Sequence, residues 1–118
     1  MKTRNSFVSN SSSTLFMIKN TSNEIKTLLN FVEETLWLAD NHFNTYSSIY
    51  SDSKSLKNEM LICALDRQLD KEKFNPNEEK SIRFGDEDGD VLGEIFDYQL
   101  RQPNKSKSFS WCELQSLR

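Results

Sequence analysis

Residues 21–41 are TSNEIKTLLNFVEETLWLADN, a stretch that joins a helix-start signal to an apolar stripe. Thr21-Ser22-Asn23-Glu24 has the spacing of a capping box, in which hydroxyl and carboxylate satisfy each other's free backbone N–H groups. Ile25, Leu28, Leu29, Val32, Leu36 and Ala39 then recur at helical intervals, on one face of a helix running from Thr21 to Ala39. Phe31 and Leu38 lie off that stripe, so the helix is expected to bury more than one side. It is expected to end near Asp40-Asn41, with His42 in a polar exit.

The flanks extend the pattern. Thr14-Leu15-Phe16-Met17-Ile18 is an apolar run of strand length, bounded by Lys19-Asn20. Apolar residues on both faces suit a strand covered on both sides, or an inner strand. Residues 41–55 are a polar connection carrying Phe43, Tyr46, Ile49 and Tyr50, either a pinned surface loop or a short helix. A second helix is expected over Ser55–Lys73, with Leu56, Met60, Ala64 and either Leu65 or Leu69 inward, ended by Asn75-Pro76-Asn77. Lys80–Phe84 alternates as a strand, with Ile82 and Phe84 on one face. A turn at 85–90 leads to a third helix over about 90–102, with Val91, Leu92, Ile95, Phe96, Gln99 and Leu100 in helical register and Pro103 closing it. Ser108–Cys112 alternates as the last strand. The expectation is an α+β domain over 14–118, a three-stranded sheet with about three helices on one face, in the order β-α-α-β-α-β. Residues 1–13 form a Ser/Asn-rich arm outside it, with Phe7-Val8 docking on the core.

Composition narrows the function classes. The chain has 118 residues, 15 Lys+Arg, 18 Asp+Glu and a net charge of −3. Leu, Ile, Val and Phe make up about a quarter, above the level at which a charged chain stays disordered. No apolar run approaches the roughly 18 residues of a membrane span, and no signal-peptide core opens the chain. A cytoplasmic protein is the expectation. Cys63 and Cys112 have no CxxC partner and are expected to be reduced and buried.

The chemistry-bearing residues are few. Asp86, Glu87, Asp88, Asp90, Glu94 and Asp97 place six carboxylates in twelve residues. Hard cations take such oxygen ligands, but Gly89 stands fourth from Asp86 and the calcium-loop pattern wants glycine sixth. Capping of the third helix is the economical reading, with a partner-binding acidic patch and a metal site as alternatives. His42 is the single histidine, so any Ser–His or Cys–His mechanism would need it as base. Neither a catalytic set nor a cofactor is expected. Lys2 and Arg4 are too few cations for nucleic acid to be a general partner. Tyr46 and Tyr50 divide evenly between core and interface, whereas Trp37 and Trp111 are expected in the core.

Arg4-Asn5-Ser6-Phe7-Val8-Ser9-Asn10-Ser11-Ser12-Ser13-Thr14, followed by Phe16, resembles the opening of a group of small uncharacterised bacteriophage and bacterial proteins. Its members begin with a short basic start, a Phe-Val-Ser-Asn core, a serine run and a hydrophobic strand. The acidic turn before the third helix is similar to a segment in some of them. The resemblance implies a phage or prophage origin and carries no residue role. The expected function is a non-enzymatic phage-encoded accessory protein that binds a host or phage protein, with Asp86, Glu87, Asp88, Asp90, Tyr46 and Tyr50 as candidate contacts. The alternatives are a minor structural component of the particle, or a small metal-dependent enzyme using the acidic turn.

Overall fold

The computed structural model describes residues 13–45, 52–85, 91–101 and 103–116, with backbone alone at 44 and 45. In chain order the elements are β1 (Ser13–Asn20), β2 (Lys26–Thr27), α1 (Leu28–Glu34), α2 (Leu38–Thr45) and α3 (Ser53–Asp66). A 3-10 turn (Leu69–Lys71) follows, then β3 (Lys73–Phe74), β4 (Glu79–Gly85), α4 (Val91–Gln99), β5 (Asn104–Lys105) and β6 (Phe109–Ser116). The α+β class agrees with expectation; the three-stranded sheet and the β-α-α-β-α-β order do not. The main sheet is antiparallel with four strands in the order β4-β1-β6-β5, and β2 pairs with β3 in a separate ribbon. The unforeseen strands are two residues long, too short for alternation to be read.

β1 is an inner strand. Thr14, Phe16, Ile18 and Asn20 are buried, while Leu15, Met17 and Lys19 on the other face are half-buried. Phe16 stands opposite Ile82 of β4, and Ile18 opposite Trp111 of β6. A bulge between Leu15 and Phe16 shifts the register along β6. Phe31 of α1 lies at the centre of the core. Its ring meets Phe96, Phe109 and Trp111 edge-on, with centroids 5.5, 5.4 and 5.5 Å away.

The expected long first helix is shortened and broken. Thr21–Glu24 belongs to a loop, because the Asn20 side chain claims its backbone. Ser22 donates to Asn20 Oδ1 through its backbone N–H (2.9 Å) and hydroxyl (2.7 Å), and Asn20 Nδ2 donates to the Glu24 carbonyl (2.7 Å). The capping box is built by Thr27 and Asn30 instead. Asn30 N–H donates to Thr27 Oγ1 (3.2 Å), and Thr27 N–H donates to Asn30 Oδ1 (2.9 Å). Thr27→Ala is therefore expected to cost about 1 kcal/mol in urea melts, and Thr21→Ala close to nothing. The reverse ranking would return the helix start to Thr21.

Thr35 breaks the helix downstream. Its hydroxyl donates to the carbonyls of Phe31 (2.7 Å) and Val32 (3.2 Å), a back-bond that bends helices. The turn at 35–37 brings Trp37 outward to 42% exposure, correcting its expected place in the core; Trp111 is buried as expected. α2 then carries the chain past Asp40, so His42 lies within a helix and not in a polar exit.

α3 begins earlier and ends sooner than expected. The Asp52 carboxylate accepts from Ser55 N–H (2.8 Å), which holds its carboxyl below the ordinary value. Gln68, at φ 57°, stops the helix in the left-handed region and turns Leu69 inward. Leu56, Met60, Cys63, Ala64 and Leu69 are buried, and Leu65 is not. Asn75-Pro76-Asn77 follows β3 rather than ending the helix. In α4, Leu92, Ile95 and Phe96 are buried as expected, and so is Leu100 just beyond it.

Both cysteines are free, but only Cys63 is buried; Cys112 is half-exposed, against expectation. In the native protein Cys112 is expected to react readily with a thiol reagent, and Cys63 only on unfolding. Equal rates at the two positions in a mass-spectrometric time course would contradict the placement of α3.

Candidate interaction surface

The sequence-predicted contacts Asp86, Glu87, Asp88, Asp90, Tyr46 and Tyr50 lie outside the described residues. The rest of the acidic run, Glu94 and Asp97, lies in α4 and is engaged within the domain. Glu94 Oε2 stands 3.1 Å from Nε2 of the buried His42, which also stacks obliquely near Tyr98 at 6.1 Å. This imidazole–carboxylate contact ties α2 to α4. Asp97 is fully buried and accepts a 2.6 Å hydrogen bond from Thr14 Oγ1, with Arg101 Nη2 3.6 Å from its other oxygen. That pair ties α4 to β1.

These side chains hold elements together. Thr14→Val keeps the shape and removes the donor, so it is expected to cost about 1.5–3 kcal/mol, the range for a hydrogen bond to a charged group. A loss under about 0.5 kcal/mol would remove Asp97 from the framework. Among the described residues, no group of three His, Cys, Asp or Glu is placed to hold a metal ion. No described helix is long and apolar enough to cross a membrane.

The outer side of α3 is different. A helix advances about 100° per residue, so Leu56, Met60, Cys63 and Ala64 share one arc and Leu61, Ile62 and Leu65 share the opposite one. The first arc faces α1, α2 and α4 and is buried. On the second, Leu61 is half-buried against the core, and Ile62 and Leu65 are 52% and 54% exposed. The three form one stripe, since residues three and four apart are neighbours on a helix.

The neighbours of Ile62 at those spacings are Asn58, Glu59, Leu65 and Asp66. Asn58 and Asp66 are exposed, and Glu59 is half-buried with Oε2 3.8 Å from Cys63 Sγ. On the helix wheel Glu59 and Asp66 fall together, on the side of Ile62 away from Leu61 and Leu65. The nearest cations of the helix are used elsewhere. Lys57 Nζ stands 3.0 Å from Asp40 Oδ2, and the Arg67 guanidinium lies over the Phe84 ring at 5.5 Å. The stripe is therefore apolar at its centre and acidic along one edge.

The chain matches no protein-family model, no curated protein and no solved structure. Sequence reasoning missed this surface, although a signal was present: residues 56–65 carry more apolar side chains than one helical face can bury. Leu65 stands opposite Leu56 on the helix wheel and so faces outward, whereas Leu69 is buried because the helix ends before it.

Proposed function

We propose that the chain is a non-enzymatic, phage-encoded accessory protein that acts in the host cytoplasm by binding another protein. The observation that carries this reading is the exposed Ile62–Leu65 stripe on α3. A small domain gains little by leaving two large aliphatic side chains half in water on a helix whose other side is fully packed. Contiguous exposed apolar groups rimmed by polar ones mark interaction sites. The phage origin rests on the resemblance of residues 4–18.

Affinity capture from host cells tests this reading, with the full chain compared against Ile62→Ser/Leu65→Ser. Both positions are exposed, so the double variant is expected to keep its fold and to lose a partner that the parent retains. Identical captured proteins from parent and variant would contradict the proposal.

A further inference from the structure

We infer that the outer face of α3 receives a basic amphipathic helix of the partner protein. This rests on the protein-binding reading above and names the chemistry of what is bound. Leu61 and Leu65 form an i, i+4 ridge with Ile62 beside it, and such a ridge packs into the groove between side-chain rows of a second helix. Leu61 joins the ridge to the core, so a docking helix would extend the existing apolar cluster.

The edge selects the charge. Glu59 and Asp66 flank Ile62 one turn before and one turn after it, and the remaining polar neighbour, Asn58, is neutral. Lys57 is held by Asp40 and Arg67 by the Phe84 ring. The exposed Lys54 stands on the same side of the helix as Leu61, seven residues or about 10 Å before it, at the end of the stripe away from Asp66 and about 12 Å from Ile62. Lysine or arginine flanking an apolar seam would meet the two carboxylates, as charged positions flank the seam of paired helices and set partner choice. The same carboxylates repel phosphate, which argues against nucleic acid and anionic lipid surfaces at this face.

The test uses two labelled amphipathic peptides of about 18 residues, one of leucine and lysine and one of leucine and glutamate, with identical apolar faces. At 0.1 M salt the leucine–lysine helix is expected to bind the full chain at least about fivefold more tightly, as the half-buried Glu59 and the exposed Asp66 attract one peptide and repel the other. Ile62→Ser/Leu65→Ser should weaken it by about tenfold or more. Glu59→Gln/Asp66→Asn should remove most of the preference between the peptides. Circular dichroism of each variant confirms the fold.

Equal binding of both peptides, or leucine–lysine binding indifferent to Ile62 and Leu65, would overturn the basic-helix occupant. A preference that survives Glu59→Gln/Asp66→Asn intact would do the same, because it would come from the net charge of the whole chain. So would a dimer in sedimentation that the Ile62/Leu65 variant dissociates, because a second copy would then cover the stripe. Loss of a captured partner in the Ile62/Leu65 variant, without any charge preference among the peptides, would overturn this inference and leave the protein-binding reading standing.

Discussion

Phe31→Ala is expected to lower the stability of the domain by about 3–5 kcal/mol, the cost of truncating a buried phenylalanine. Phe31 is fully buried, and its ring touches α4 through Phe96 and the β6 strand through Phe109 and Trp111. Removing it opens a cavity where helices and sheet meet, and its three rigid aromatic neighbours can collapse only partly. Domains of this size are stable by about 5–15 kcal/mol, so the variant should lie near the edge of folding at about 37 °C. Urea melts are the measurement. A loss below about 2 kcal/mol would mean that the helices and the sheet do not meet through this ring.

Asn20→Ala is expected to cost about 2–4 kcal/mol, for a different reason. The Asn20 side chain is fully buried at the end of β1, where the main sheet meets the β2–β3 ribbon. Its amide donates to the carbonyls of Glu24 (2.7 Å) and Phe74 (3.1 Å), and the Asn75 carbonyl oxygen lies at 3.2 Å. Its oxygen accepts from both donors of Ser22. Removal takes the amide donor from the buried Phe74 carbonyl and the acceptor from both donors of Ser22, while the Glu24 and Asn75 carbonyls keep their contacts with Ser22 Oγ and Glu78 N–H. A buried group left unsatisfied costs its full desolvation. Asn20→Asp keeps the acceptor and replaces the donor with an oxygen facing carbonyl oxygens, so it should be nearly as harmful as alanine. Tolerance of aspartate within about 0.5 kcal/mol would show that the Ser22 contacts alone matter.

Much of the core was legible where periodicity was long. Phe16 and Ile18 alternate in β1, Phe84 in β4 and Phe109 and Trp111 in β6, and the buried Leu92, Ile95 and Phe96 of α4 stand at helical spacing. What escaped was settled by contacts between distant residues. Thr21–Glu24 satisfies the local rule for a cap as well as Thr27–Asn30 does, and the choice falls to Asn20, whose side chain reaches Phe74 across the fold. The break at Thr35 depends on whether a hydroxyl bonds back to its own helix, which composition does not reveal. Two-residue strands such as β2 and β5 exist only through their partners.

The candidate surface was half legible for a related reason. Leu65 falls on the outer arc of α3 by its spacing from Leu56 and Met60, and Leu69 would fall there too if the helix ran on; the left-handed Gln68 ends that register and turns Leu69 inward. Glu94 and Asp97 read as part of an acidic patch, yet His42, Thr14 and Arg101 draw them into the framework. Charge runs are assigned to solvent by default, and only tertiary partners show otherwise.

Photo-crosslinking in host cells reports whether the outer face of α3 meets another protein. A photoreactive residue is placed at position 62 in one protein and at the exposed position 105 of the β5–β6 hairpin in another. The predicted result is a covalent adduct from position 62 to a different protein, mapped by mass spectrometry to a basic amphipathic segment and absent from position 105. Adducts only to further copies of the chain, none at all, or the same partner in equal yield from both positions would contradict it.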